Sequence, residues 1–195
     1  MTYTIAKYPA HMIDVVRIYG SRITIRPTLP QDVDLQRAFF RSLSAESRYC
    51  RFMSRLRELP DCLVERFTSI DYRGHVALLA EVFNEAGHET MIGEARYVVE
   101  KHDPTTCEFA LAVADDWRAS GIGRSLLERL EQQAAASGIH RMVADTLITN
   151  KAMQRLAART GYAISARRAD AGLARLEKAL AGPLEQKPSL QPRAA

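Results

Sequence analysis

The chain has 195 residues, of which 47% are hydrophobic and 26% charged, with a net charge of +4. That balance suits one ordinary globular domain and excludes disorder throughout. No run approaches the ~20 apolar residues of a membrane-spanning helix, and no basic-then-apolar leader opens the chain, so no membrane association and a cytoplasmic location are expected.

In chain order, residues 1–13 show no clear period and read as a loose arm. Val15 to Tyr19 and Ile23 to Pro27, separated by Gly20-Ser21, read as a hairpin. Pro30-Gln31-Asp32 then opens a helix with Val33, Leu35, Phe39, Phe40 and Leu43 on its apolar face. Ser44 has the position of an N-cap for a second helix that runs to Met53, and a third short helix follows Pro60-Asp61.

Val76 to Phe83 is nearly continuous in apolar residues, as a central strand is. Asn84 to Gly87 is a turn. Thr90 to Val99 is a second strand with Gly93 at a bulge. Asp103-Pro104 reads as a break before a third strand, Cys107 to Val113. Gly121 to Ala136 is a helix closed by Gly138, and Met142 to Leu147 is a strand. Asn150 to Arg159 is a helix closed by Gly161, and Tyr162 begins another strand. Gly172 to Leu180 is open between helix and strand. Residues 181–195 carry Pro183, Pro188 and Pro192 and no apolar period, so they read as a disordered tail behind a single domain over 1–180.

The three cysteines, Cys50, Cys62 and Cys107, form no C-x-x-C pair, and the five histidines form no H-x-x-x-H pair. Neither a disulfide framework nor a bound metal is expected. Arginine far outnumbers lysine, which occurs only at Lys7, Lys101, Lys151, Lys178 and Lys187. The run Arg48, Arg51, Arg55, Arg57 reads as one solvated helix face in preference to a patch for an acidic partner. No basic sheet rich in aromatics and no zinc motif accompanies it, so nucleic acid is not an expected partner.

The chemistry concentrates where a strand ends at Val113, a turn follows, and a helix opens with Gly121 and Gly123. A glycine inside a helix costs about 1 kcal/mol against alanine, and two together ask for a reason. Bare backbone N–H groups at a helix N-terminus attract phosphate, and glycine lets a ligand approach them closely. Arg118 and Arg124 flank the turn and would add charge-assisted donors. The pattern is neither a dinucleotide fingerprint nor a Walker loop. A capped helix with Ser120 as its N-cap is the purely structural alternative.

Arg118-x-x-Gly121-x-Gly123 resembles the acetyl-coenzyme A binding motif of the GNAT superfamily of N-acyltransferases. Asn150, a helix, and then Gly161-Tyr162 resemble that superfamily's later landmark. In the first half, Ile25-Arg26-Pro27, Ser47-Arg48-Tyr49, Arg51-Phe52, Asp71-Tyr72 and Ala80-Glu81 are similar to catalytic domains of bacterial protein lysine acetyltransferases, as is Glu108-Phe109 leading to Asp115-Asp116-Trp117. Such enzymes often carry a fused regulatory module, for which this length leaves no room, so a stand-alone catalytic domain is expected.

The resemblance implies an α/β fold of mixed type: a mostly antiparallel, splayed sheet of about seven strands flanked by four to five helices. It implies acetyl-CoA as acyl donor, with the pantetheine arm paired to backbone groups of Leu111 and Val113. The pyrophosphate would lie on the N–H groups of Ser120, Gly121, Ile122, Gly123 and Arg124, with Arg118 nearby and Asn150 reaching the arm. The resemblance implies a primary amine as acceptor, the alternative of another class being a catalytically idle acyl-CoA-binding sensor module. A protein lysine is favoured over a small amine because no carboxylate cluster suited to a polyamine occurs between Pro30 and Asp71.

The resemblance also implies Glu108 as general base, since the matching glutamate serves so in the resembling lysine acetyltransferases, and partial burial on the strand leading into Val113 is expected of it. Glu81 and Glu94 are weaker alternatives. Two departures stand out. Ala119 replaces a common glycine, which is harmless unless its φ is positive. Ala157 replaces the tyrosine that often protonates the leaving thiol, leaving water or Tyr162 for that task. Cys107 reads as a buried strand cysteine, Asp115 and Asp116 as turn residues, and Trp117 as a packing residue. The protein is expected to be a monomer or homodimer.

Overall fold

The computed structural model describes residues 8–83, 87–167 and 170–181. Strands β1 (Asp14–Ile18) and β2 (Ser21–Pro27) form the expected hairpin, one residue earlier than read. Its turn is Tyr19-Gly20, with φ of 50° and 80°. Two consecutive left-handed residues match the right-handed twist of the flanking strands, and Ser21 is thereby free to pair with Ile18.

Helices α1 (Val33–Ser42), α2 (Ala45–Phe52) and α3 (Asp61–Thr68) follow. Strands β3 (His75–Phe83), β4 (Glu89–Glu100) and β5 (Asp103–Val113) form a meander. Then come α4 (Ile122–Ala136), β6 (Arg141–Leu147), α5 (Lys151–Arg159), β7 (Ala163–Ala166) and β8 (Leu173–Ala179). Among the described residues the sheet has eight strands in the order β1-β2-β3-β4-β5-β6-β8-β7. Every neighbouring pair is antiparallel except β5 and β6. This is the mixed, mostly antiparallel architecture anticipated, with one strand more.

The extra strand is β8. Ala174 and Leu176 alternate inward and are buried, and the strand takes full register against β6 from Arg141↔Ala179 to Leu147↔Leu173. Burial on one face with period two settles the helix-or-strand ambiguity. Two other readings are corrected. Pro104 does not break the chain, because β5 already begins at Asp103, whose carboxylate accepts hydrogen bonds from Thr105 N, Thr105 Oγ1 and Thr106 Oγ1 at 3.1, 2.6 and 2.6 Å. Residues 8–13 are not loose: Tyr8 Oη donates to the Pro27 carbonyl at 3.1 Å, and Met12 is buried in the core. The tail from 182, the turn residues 84–86 and the first seven residues of the arm lie outside the described residues.

The sheet is covered on both faces. Ile122, Leu126, Leu127, Leu130 and Ala134 of α4 pack on Ile23, Ile25, Leu78, Ile92, Tyr97 and Phe109. Each large aliphatic side chain fully buried there contributes about 1.5–3 kcal/mol. On the opposite face Phe39 of α1 and Leu43 just past its end meet Leu79, Met91 and Ala112, while Phe40 of α1 forms a smaller cluster with Val64 and Phe67 of α3. The register against β3 slips between Ala80 and Glu81, leaving Ile92 as the extra residue of a bulge beside Gly93. A Cβ on Gly93 would lie 3.1 Å from Leu126 Cδ1 and 3.2 Å from Ile122 Cγ2, so this glycine lets α4 press onto the strand.

Candidate active site

Strands β5 and β6 pair only at Thr106↔Arg141, Cys107↔Met142 and Glu108↔Val143. Beyond Glu108 they part, while β5 stays paired to β4 as far as Gly93↔Val113 and β6 stays paired to β8. The result is a wedge-shaped gap with its apex at Glu108. Ala114 N donates to Ile92 O at 2.8 Å, so strand alternation turns the backbone groups of Ala112 and Ala110 toward β4 and those of Leu111 and Val113 into the gap. These two residues, named from sequence, therefore form an unpaired strand edge inside the sheet.

The turn after β5 closes the wide end of the gap. A short 3-10 turn, Asp115–Trp117, leads through Arg118, Ala119, Ser120 and Gly121 into α4. Gly121 has φ +98° with nothing within 4 Å of a built Cβ, so it is the backbone conformation and not crowding that calls for glycine. A Cβ on Gly123 would lie 3.5 Å from Val113 Cγ2 and Leu156 Cδ2 and 3.6 Å from Leu111 Cδ2. The turn thus abuts the open edge of β5 and the side of α5. Gly121, not Ser120, holds the N-cap position; Ser120 Oγ donates to Trp117 O at 2.6 Å and accepts a long bond from Ile122 N at 3.4 Å, so the Ile122 amide is not free. The amides of Ser120, Gly121, Gly123 and Arg124 donate to no group among the described residues, while Ser125 N is the first to bond back, to Gly121 O. Ala119 has φ 58°, the conformation that makes its methyl costly.

The two arginines are not aimed at this turn as read. Arg118 Nη2 donates to Ser47 Oγ at 2.6 Å and pairs with Asp115 Oδ1 at 3.0 Å. Arg124 pairs with Glu128 one helical turn along, and both members are largely solvated. Asp115 is more than a turn residue. It accepts from Ser44 N at 2.8 Å, Ser44 Oγ at 3.2 Å and Ser47 Oγ at 2.6 Å. Partial burial would raise its carboxyl, but the bonds from Ser47 and Ser44 and the charge of Arg118 hold it below the usual range. The first turn of α2 is stitched in this way to the turn before α4. The sequence carried one sign of it, Ser44 as N-cap, which the structure bears out.

Asn150 caps α5, its Oδ1 accepting from Met153 N at 3.1 Å, and its amide nitrogen has no partner among the described residues. It stands past the end of β6, at the start of α5. Ala157 is fully buried and points no polar group anywhere. Tyr162 does not replace the missing acid. Its ring packs on Phe109 at 5.2 Å, its hydroxyl faces Met142 Sδ at 3.8 Å, and burial pushes its pKa well up. Cys107 is buried in the core, and desolvation pushes its thiol up to about 12, the inert state expected of it.

Glu108 is exposed, not partly buried, and its carboxylate has no ion-pair partner among the described residues. It lies at the apex of the gap, on the sheet face that α2 covers. Pairing of Val98 with Glu108, Arg96 with Ala110 and Glu94 with Ala112 sets these residues on one face. The rival carboxylates are committed elsewhere. Glu81 is buried against Arg26 at 3.0 Å, two strands away, and that arginine also holds Asp32 at 2.8 Å. Glu94 lies between Arg51 at 3.1 Å and Arg96 at 2.6 Å. Burial would raise Glu94, but these two guanidiniums pull it down to about 2, which makes it a poor base. Arg96 in turn stacks over Phe67 at 3.9 Å and reaches His75 Nε2 at 3.4 Å.

The Acetyltransferase (GNAT) family model matches residues 38–162. An acetyltransferase of Pseudomonas aeruginosa is 29% identical over 143 residues, 73% of this chain and 76% of that protein. The acetyltransferase Pat of Mycolicibacterium smegmatis is 34% identical over 142 residues, 73% of this chain but only 41% of that protein, so the chain spans less than half of its length. Among solved structures, the GNAT domain of S. lividans PAT superposes with a TM-score of 0.80 at 29% identity, over 89% of this chain and all of that domain. A splayed sheet, a glycine turn with bare amides at its wide end and a match across the middle two thirds of the sequence converge on one assignment: this chain belongs to the GNAT acetyltransferase family and is an acetyltransferase.

Proposed function

We propose that the chain transfers the acetyl group of acetyl-CoA to the side-chain amine of a protein lysine, by direct attack in a ternary complex with Glu108 as general base. The observation that carries this reading is the gap itself: an unpaired strand edge that runs from Phe109 to Val113 and ends on unsatisfied helix amides. Five residues of β5 span ~17 Å, room for an extended pantetheine arm. The arm would add to the open edge as a strand does, through the backbone of Leu111 and Val113. The diphosphate would rest on the amides of Ser120, Gly121, Gly123 and Arg124, with Ile122 between them anchoring the helix in the core. Asn150 would meet the arm from the other wall with its free amide.

The reaction needs a neutral amine. At pH 7 deprotonating a lysine costs about 4.6 kcal/mol. Glu108, solvent-linked at the apex, takes that proton directly or through water. The nitrogen then adds to the thioester carbon, an open-edge amide of β5 holds the oxygen as it gains charge, and the C–S bond breaks. The departing thiolate has an ordinary pKa near ~8.5 and picks up a proton from solvent, so the alanine at position 157 is no obstacle. Similarity to Pat-type acetyltransferases supports a protein lysine as acceptor.

Mass spectrometry of lysine-bearing proteins after incubation with isotopically labelled acetyl-CoA tests the acceptor. For the base, Glu108→Gln should lower kcat at least about tenfold while acetyl-CoA affinity stays within about twofold. Unchanged turnover would remove Glu108 from the mechanism.

A further inference from the structure

The arginine run after Ser47 does not form the single solvated face its spacing suggests. Arg51 turns inward to Glu94, while Arg48, Arg55 and Arg57 converge with Ala45, Tyr49 and Leu56 on one open cleft of about 760 Å³. Among the described residues no carboxylate pairs with any of these three arginines. Arg48 donates to the Arg57 carbonyl at 3.1 Å, its guanidinium lies 5.3 Å from the Phe40 ring centre, and its Nε is buried without a partner. The buried arginines elsewhere behave differently: Arg26, Arg51 and Arg96 each hold a carboxylate. Gathering like charges without a counterion costs energy that an incoming anion returns.

The cleft shares helix α2 with the candidate site. Helix α2 carries Ala45, Arg48 and Tyr49, and it is held by Arg51–Glu94 on the sheet face that also bears Glu108. Tyr49, 42% exposed, and Leu56 give the charged cleft an apolar part to its lining. Planar guanidinium forks match carboxylates in pairs, and an open cleft of this volume with apolar as well as charged lining suits a polypeptide better than a small amine.

We infer that this cleft binds the acceptor, and that the acceptor is a polypeptide segment with Asp or Glu residues flanking the target lysine. The inference rests on the reading of Glu108 as the base that meets a protein lysine. Two labelled peptides with one lysine each, one flanked by Asp and Glu and one by Asn and Gln, test it on the full chain. They are compared on the unaltered chain and on the Arg55→Gln, Arg57→Gln double variant, both positions being exposed. The unaltered chain should favour the acidic peptide by about tenfold in kcat/KM, mostly through KM, and the preference should shrink in the variant and with rising salt.

Equal use of both peptides, or a preference that survives the substitutions, would overturn the inference. So would a rise in KM for acetyl-CoA in place of the peptide, or a DNA duplex bound more tightly than the acidic peptide. Fluorescence anisotropy of the same peptides separates the two readings when neither is acetylated. Arginine-dependent binding of the acidic peptide then upholds the cleft and removes lysine transfer at Glu108, whereas indifferent binding removes the cleft.

Discussion

Ala119 shows how one residue can set a local cost. Its φ of 58° puts a Cβ where glycine would carry none, beside Gly121 at +98°. A left-handed alanine is disfavoured by about 1–2 kcal/mol, and glycine's greater freedom in the unfolded chain returns part of that. Ala119→Gly should therefore stabilise the protein by about 0.5–1 kcal/mol, read as a higher urea midpoint with an unchanged slope. A lower midpoint would contradict the backbone origin of the cost. Gly121 was legible in the sequence as a glycine with a purpose, because glycines at a helix start are expensive. The conformation of Ala119 was not, since nothing local distinguishes a left-handed alanine from any other. Glu108 was legible as a strand residue near the gap, but its exposure depends on how far β6 diverges, which is a tertiary fact.

At the scale of elements, α2 is the piece that joins the two halves of the site. Its first turn is bound to Asp115 and Arg118 beside the glycine turn, and its last turn to Glu94 through Arg51. The helices themselves were readable from apolar spacing and from Ser44. Their ion pairs were not, because Glu94 and Arg51 are 43 residues apart and meet only across the sheet. Beneath α3, desolvation and the neighbouring Arg96 push His75 down from 6.5 to about 4.

Between those values the unfolded chain binds a proton that the folded chain refuses. Stability therefore rises with pH through this window and falls as the solution is acidified from about 6.5 towards 4, by at most ~1.4 kcal/mol per unit. Glu94 acts in a lower window. Its stabilisation is present above its ordinary 4.5 and is lost on the way to about 2. Urea midpoints followed against pH should decline from about 6.5 downward, and His75→Gln should flatten that limb while leaving the decline below 4.5. An unchanged limb in the variant would assign the decline to other groups.

For the whole molecule, the single parallel contact between β5 and β6 is what makes a site out of a sheet. Three residue pairs hold the strands together at the apex, and everything beyond is open backbone between two packed layers. The order of strands and helices was legible because each element carries its own period. The divergence was not, because no residue in β5 or β6 says where pairing stops; only the resemblance to the family implied it. The eighth strand and the docked segment from Tyr8 to Ile13 were settled by contacts with β6 and β2 that lie far away in sequence.

We propose that the free amides of Ser120, Gly121, Gly123 and Arg124 hold the diphosphate of the donor while its arm fills the gap. Calorimetric titration of the full chain with CoA, acetyl-CoA and pantetheine tests it most directly. Saturable heat with both CoA species and a large loss of affinity for pantetheine, which lacks the diphosphate, is the predicted result. No heat with acetyl-CoA, or pantetheine bound as tightly as CoA, would contradict it.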